Sequence, residues 1–235
     1  SPVTKEEYGC KIFNAIAPRY DLLNTVISFN FDRSWRRFTV AQTGLGPGDK
    51  ALDVCCGTGM LSLELARVVA PGGRVFGLDF AVSMLKVASK RLAASPYGNL
   101  VELVEGNAMK LPYPDNSFDA ATIAFGLRNL PDIKQGLAEM HRVVRPGGRV
   151  VSLELAKPSL PVFKQLYYLY FDNLVPLMGR LGIGFHGPYS YLPRSLKAYP
   201  HQKEILKYYR ELGFSNAVCH ELTGGVVAVH VGIKQ

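Results

Sequence analysis

"KALDVCCGTG", residues 50–59, reads as a short apolar strand running into a glycine turn, and a helical pattern follows over 60–69. A strand that passes through glycines straight into a helix brings bare backbone and a helix N-terminus to one point, where a ligand can approach closely. Tight packing of the turn is the alternative reading. A dinucleotide fingerprint would ask for a third glycine at position 62, where the chain has Ser62. Asp79 ends the next apolar run, twenty residues beyond Gly59. A carboxylate there can accept both ribose hydroxyls of a nucleoside, or it can cap a helix beginning near Ala81. Loop and carboxylate together indicate a nucleoside cofactor, and Ser62 argues against a nicotinamide one.

Outward from this stretch, apolar runs alternate with helical patterns. RVFGLDF (74–80) leads to a helix over 82–94, and VELVEGNA (101–108) to a turn-rich loop. FDAATIAFGL (118–127) leads to a helix over 132–144, followed by RVVSLELA (149–156). With the first run this predicts five strands in a parallel, doubly wound sheet. Beyond Pro158 lie an aromatic segment, FKQLYYLYFDNLVPLMGRLGIGF (163–185), and a helix near 201–212. Two strands close the chain, SNAVCHEL (215–222) and VVAVHVGIKQ (226–235), separated by Thr223, Gly224 and Gly225. That short hairpin loop predicts an antiparallel last strand in a seven-stranded α/β sheet.

The chain of 235 residues reads as one domain. Residues 1–45 form a helical segment on the substrate side, 50–158 the cofactor-binding core, 159–212 a helical lid and 213–235 the terminal hairpin. Hydrophobic residues at 48% and charged residues at 20% are ordinary globular values, which excludes an extensively disordered chain. No run has the roughly 18 uninterrupted apolar residues of a membrane span, and SPVTKEEYGC at the start lacks a secretory signal core. These readings predict a cytoplasmic protein. Cys10, Cys55, Cys56 and Cys219 have no zinc spacing and read as reduced, packed thiols; no metal is expected. The net charge of +8 suits an anionic partner or plain solubility. Neither a basic, aromatic-interleaved groove nor a base-flipping motif is evident, so nucleic acid is not expected.

The acidic residue before the glycine loop (Asp53), Asp79, the "GNA" of 106–108, "LPYPDNSFD" (111–119) and "RVVRPGG" (142–148) occur in an order that resembles the Rossmann-like class I S-adenosylmethionine-dependent methyltransferases. The resemblance implies S-adenosylmethionine as cofactor and S-adenosylhomocysteine as product. It places cofactor contacts at Asp53, Gly57, Thr58, Gly59, Asp79, Phe80, Asn107 and Ala108. A narrower match lies in "YDLLNTVISFNFDRSW" (20–35), which resembles the first signature of the quinone-ring C-methyltransferases of menaquinone and ubiquinone biosynthesis. Leu23 stands where that family usually has methionine, and Asp32 where it usually has histidine. "RVVRPGGRVVSLELA" (142–156) resembles the second signature, with Arg145 for lysine and Ala156 for serine. "AFGLRN" (124–129), the doubled cysteine and "TGGVVAVHVG" (223–232) look most like the demethylmenaquinone branch.

The resemblance implies methylation of a prenylated naphthoquinol ring, with the benzoquinol of the ubiquinone route as the rival. Methyl transfer from a sulfonium chiefly needs alignment. A hydroquinone carbon, in contrast, is a poor nucleophile until its hydroxyl ionises, and a phenol near pKa 10 is mostly protonated at neutral pH. Arg128 and Asn129 follow the fourth strand on the sheet edge that binds ligands, so they are expected to stabilise and orient the developing oxyanion, or else to anchor the loop before Pro131. Tyr20 and Asp21 are candidates for ring contact and proton acceptance, with a helix cap the alternative for Asp21. Glu154 could be a core carboxylate or line the pocket. His186, His201, His220 and His230 stay unassigned, with His201 the nearest candidate for a pocket neighbour. Phe163, Leu166, Tyr167, Tyr170 and Phe171 read as core packing, or as an apolar lid flanked by Lys164, Arg180, Arg194 and Lys197 that docks on the anionic inner face of the cytoplasmic membrane. The pattern leaves a homodimer open.

Overall fold

The computed structural model describes residues 4–178 and 188–235. Three helices, α1 (Lys5–Ile16), α2 (Tyr20–Ile27) and α3 (Asp32–Gln42), precede the first strand. The core then runs β1 (Lys50–Val54), α4 (Met60–Val69), β2 (Arg74–Asp79), α5 (Val82–Ala93), β3 (Val101–Glu105), β4 (Phe118–Ala124), α6 (Ile133–Val143) and β5 (Val144–Leu155). After it come α7 (Pro161–Leu169), α8 (Val175–Met178), α9 (Pro188–Ala198), α10 (Gln202–Glu211), β6 (Ser215–Leu222) and β7 (Val227–Ile233).

The seven strands form one sheet in the order β3-β2-β1-β4-β5-β7-β6. β1 through β5 are parallel, and β7 inserts antiparallel between β5 and β6, as the glycine-containing hairpin predicts. β1 is buried on both faces because successive residues serve opposite layers. Leu52 and Val54 join Leu137 and Met140 of α6 and Ile205 and Tyr209 of α10, whereas Ala51 joins Leu61, Leu65 and Val69 of α4. The strand order reverses between β1 and β4, so their carboxyl ends diverge into a crevice, the place where doubly wound sheets take ligands.

Two details depart from the sequence pattern. α6 passes into β5 without a free loop: Phe118 pairs with Val144, and a bulge accommodates the intervening turn before Arg149 meets Ala120. The turn is fixed from the end of the neighbouring β7, where Gly147 N donates to Lys234 O at 2.7 Å and Lys234 N to Gly148 O at 2.9 Å. The aromatic segment loses α-helical geometry at Tyr170, earlier than its proline. Tyr170–Leu174 widens into a π turn before Pro176. A proline cannot donate to the carbonyl four residues back and its ring crowds that carbonyl, and the wider turn relieves both.

Gly126, just past β4, locks the two ligand-side turns together. A Cβ there would stand 2.7 Å from Cys55 Cβ and 3.0 Å from Ile123 Cγ1. Gly126→Ala should therefore overpack the junction and cost about 1–3 kcal/mol, read as a lower melting temperature by calorimetry. An unchanged melting temperature would mean that the two turns are not in rigid contact.

Candidate active site

The glycine loop leaves β1 through Cys55, which adopts a left-handed φ of 55°, and turns at Gly57 (φ 54°) and Gly59 (φ 81°). Nothing lies within 4 Å of where a Cβ on Gly57 would stand, so that glycine presents open backbone. Gly59 has another role: a Cβ there would press on Ala88 at 3.2 Å, so it serves close packing of loop on helix.

Asp79 braces two elements at once. Its Oδ2 accepts from Gly57 N and its Oδ1 from Ala81 N, each at 2.8 Å, tying the loop to the start of α5. Burial pushes its carboxyl above the usual range, and these N–H donors oppose the shift. Each oxygen retains a further lone pair for a ligand hydroxyl. Asp79 and Gly57, with Phe80, Asn107 and Ala108 beyond β2 and β3, line one side of a cavity of about 290 Å³. Asn107 is held by its own turn, with Oδ1 accepting from Met109 N at 2.8 Å. Cys10 and Phe13 of α1 cover the opposite side.

A second cavity, of about 350 Å³, is lined mostly by aromatic and aliphatic side chains. Phe29, Phe31 and Trp35 enter it from α2–α3. Phe163, Leu166, Tyr167, Tyr170 and Phe171 all line it, and Tyr167 and Phe171 are at the same time buried in the core. The walls are cross-tied: Tyr170 Oη donates to Ile27 O at 2.6 Å, and Trp35 Nε1 to Thr223 Oγ1 at 2.9 Å. A third, small cleft of about 50 Å³ lies between α2–α3 and the loop, with Asp21, Asn24, Asp32, Arg36, Gly57 and Thr58 among its walls. Tyr20 and Phe125 line all three spaces, so this pair marks the point where they meet.

Arg128 and Asn129 part company across that wall. Arg128 faces the aromatic cavity and Asn129 the other one. The Arg128 guanidinium pairs with Glu154 of β5, both side chains being buried, while its backbone N–H reaches Glu154 Oε2 at 3.3 Å. Glu154 is thus a core carboxylate that orients a cavity cation. Asn129 Nδ2 donates to Phe125 O at 3.4 Å. Tyr20 is partly buried at the junction, and its phenol is pushed above the usual value, chiefly by loss of solvent, against a hydrogen bond with Asn24.

Asp21 and Thr58 form a structural tie. Thr58 Oγ1 donates to Asp21 Oδ1 at 2.6 Å, Arg91 pairs with Asp21 Oδ2, and Arg91 Nη1 donates to Thr58 O at 2.5 Å. Both Asp21 oxygens are engaged, which suits holding α2 on the loop more than taking a substrate proton. His201 is the N-cap of α10, with Nδ1 accepting from Lys203 N at 3.1 Å, and it lines none of the three spaces. His186 and Arg180 lie outside the described residues. Among the described residues no group of His, Cys, Asp or Glu is arranged to hold a metal ion. The α1 cover over the 290 Å³ cavity escaped the motif reading. Its signal is the capping box of Thr4 and Glu7, each side chain bonded to the other's backbone N–H.

A model of the ubiE/COQ5 methyltransferase family matches residues 2–234. The chain belongs to this family. It is 49% identical to the demethylmenaquinone methyltransferase of Desulfitobacterium hafniense strain Y51, over 98% of this chain and 91% of that one. It is 45% identical to that of Geobacillus kaustophilus strain HTA426, over 99% of both. The fold matches the crystal structure of a SAM-dependent methyltransferase from Aquifex aeolicus with a TM-score of 0.63 and 19% identity, covering 85% of this chain and 89% of that chain. For this ubiE/COQ5 family member, the donor set of the 290 Å³ cavity fits S-adenosylmethionine. Asp79 suits ribose hydroxyls, Phe80 and Ala108 an adenine, and the bare Gly57 backbone leaves room for a close ligand.

Asp53 sits beneath that cradle. Its Oδ2 accepts from Ser62 Oγ at 2.7 Å and its Oδ1 from Thr122 Oγ1 at 2.9 Å. Ser62, in place of a dinucleotide-type glycine, thus serves this buried carboxyl, which burial pushes up to about 7 from an ordinary value of 3.8. The folded chain holds that proton more tightly than the unfolded chain, so this group's contribution to stability falls as pH rises from about 4 to about 7. Asp53→Asn should lose less stability between pH 5 and pH 7 than the wild type in paired thermal melts. Parallel losses would show that Asp53 titrates as an ordinary carboxyl.

Proposed function

We propose that the chain is an S-adenosylmethionine-dependent C-methyltransferase that methylates the ring of a polyprenylated demethylmenaquinol to give menaquinol. The observation that carries this reading is the meeting of a nucleoside-fitting cavity and an aromatic cavity at Tyr20 and Phe125. Bound S-adenosylmethionine supplies an electrophilic methyl group that needs alignment more than activation. The aromatic cavity offers ring-on-ring and aliphatic contacts suited to a flat naphthoquinol and the first part of its prenyl chain.

Arg128 supports the ionisation of the quinol hydroxyl, whose proton passes to water or a nearby carboxylate. Its guanidinium is fixed by Glu154 at the cavity wall, and a preorganised cation in a water-poor site stabilises a developing phenolate strongly. Tyr20 keeps its proton at neutral pH, because burial disfavours the phenolate, so it acts as a hydrogen-bond donor and ring contact at the junction. Asn129, on the cofactor side, orients the donor's reacting end, and Asp21 positions α2 through its tie to Arg91 and Thr58.

Peripheral contact with the inner face of the cytoplasmic membrane belongs to the same proposal. No described helix is long and apolar enough to cross a membrane. Phe29 is 72% exposed, Val162 72%, Leu169 61% and Leu166 59%, and Phe29 touches Tyr170, with ring centroids 5.8 Å apart, at the cavity wall. Lys164, Arg194 and Lys197 are exposed on the same segment of the chain. Apolar side chains that enter the headgroup region, with basic residues beside them, would bring the cavity to its membrane-dissolved substrate.

Incubation with S-adenosylmethionine and each demethylated quinol should yield a product one methyl heavier from the naphthoquinol, by mass spectrometry. Methylation of the benzoquinol alone, or of neither, would overturn the reading. Arg128→Ala alone strands Glu154 in the interior, a change that typically costs about 3–5 kcal/mol. The paired Arg128→Met/Glu154→Leu variant removes both charges, and it should keep S-adenosylhomocysteine affinity while kcat falls about 10²–10³-fold. Wild-type turnover in that folded variant would remove Arg128 from the chemistry. The chain should float with anionic vesicles, and Phe29→Ser should weaken that association; a wild-type chain wholly left in the unbound fraction would exclude membrane docking.

A further inference from the structure

One wall of the aromatic cavity is carried by α7, and α7 leaves the sheet at a defined point. β5 pairs with β7 as far as Leu155, opposite Val227, and Ala156 N still donates to Val226 O at 2.9 Å. Beyond that contact the hairpin turns away at Thr223–Gly225. A side chain takes over. Gln202, in the first turn of α10 and 3% exposed, accepts from Lys157 N through Oε1 at 3.0 Å and donates to Lys157 O through Nε2 at 2.9 Å. Its carboxamide thus stands in for a strand partner and serves both backbone groups of Lys157. Two further bonds hold it in that pose: Nε2 also donates to Glu221 Oε1 at 2.8 Å, and the Gln202 carbonyl accepts from His230 Nε2 at 2.8 Å. Because a carboxylate only accepts, Glu221 fixes which end of the amide meets which Lys157 atom. A second pin is Phe163, whose ring stands 3.0 Å from the place a Cβ on Gly224 would take.

Gln202 lines none of the three spaces, so it acts through another residue. Resting on the proposed function, we infer that Gln202 is a positioning residue for the quinol: by clamping Lys157 it sets how α7 departs, and α7 carries Phe163, Leu166 and Tyr167 to the ring. The connection is short. Only residues 158–160 separate the clamped backbone from the helix, and Pro158 among them is buried, so a shift at Lys157 passes into α7. The 290 Å³ cavity takes none of its wall from α7 and is insulated from that shift.

Trp35, the single tryptophan, lines the aromatic cavity, so its quenching by a 2-prenyl-1,4-naphthoquinone reads ring binding without turnover. Gln202→Leu removes both bonds to Lys157 and should weaken that binding about five- to thirtyfold. The KM for the quinol should rise to match, with kcat and S-adenosylhomocysteine affinity at wild-type values, the pattern of lost uniform binding. Gln202→Glu sets a carboxylate against Glu221 and the Lys157 carbonyl and should weaken ring binding likewise. Adding Glu221→Gln returns a donor between the two side chains and should recover part of the loss. As a control, Tyr209→Phe deletes another buried bond of α10, from Tyr209 Oη to Ser152 Oγ at 3.2 Å, and should lower the melting temperature yet leave quinone affinity unchanged. A folded Gln202→Leu protein with wild-type quinone affinity overturns the inference. So does a double variant that binds no more tightly than Gln202→Glu alone, or a Tyr209→Phe protein weakened as much as Gln202→Leu, since any loss of stability would then suffice. A wild type that binds S-adenosylhomocysteine but whose Trp35 the quinone does not quench overturns the proposed function itself.

Discussion

A guanidinium taken out of water must be paired, and this requirement at Arg128 organises the ligand side of the molecule. Its partner, Glu154, lies on the neighbouring strand, so the ion pair fastens the turn after β4 to β5. Glu154 Oε1 also accepts from Leu155 N at 2.8 Å, which holds the carboxylate still. On the other side, Phe125 adopts a left-handed φ of 56° and its carbonyl receives Arg128 Nη1 at 3.3 Å. The turn is therefore closed on itself, and its geometry decides which cavity each of its side chains sees. An aromatic residue in that backbone region is held there by its surroundings.

From that turn the division of labour follows. Phe125 and Tyr20 form the wall that all three spaces share, and polar chemistry is graded across it. On the side of the 290 Å³ cavity the groups are backbone amides, two carboxylates and an amide side chain. On the aromatic side the inner cation is the one oriented by Glu154. The N-terminal helices serve both sides, since Phe13 packs edge-on against Tyr20, with centroids 6.2 Å apart, and Trp35 stands 6.4 Å from Phe125. Loop, turn and helices thus reinforce one another around a small volume.

The fold was legible in the sequence because a parallel sheet needs strands buried on both faces, and that leaves long apolar runs between amphipathic helices. β1, β2 and β4 are such runs, and the glycine hairpin at 223–225 announces the antiparallel insertion of β7. Gly57, Asp79, Phe80, Asn107 and Ala108 of the 290 Å³ cavity were legible as strand-end residues, whereas its α1 cover was not. Nor were the pairing partners. Nothing local to Asp21 signals Arg91, 70 positions away, and nothing local to Arg128 signals Glu154, 26 positions away; both matches are products of strand order. The separation of Arg128 from Asn129 was equally hidden, since adjacent residues in a 3₁₀ turn point apart by an angle that the sequence does not encode. Asp32 looked like a lost imidazole in a signature, and its burial beside Arg36 emerges only once the chain has folded.

The cross-ties of the aromatic cavity join the two ends of the chain. Ile27 is bonded to a side chain 143 positions later, and Trp35 to one 188 positions later. At ribosomal rates of about 5–20 residues per second, roughly 10–40 s separate the emergence of Trp35 from that of its partner. Trp35 therefore spends most of synthesis without the wall that later covers it. The parallel sheet can assemble around its first five strands in that interval, so the hydrophobic chamber is the last compartment to close, and nascent chains are most exposed to aggregation at its unfinished wall.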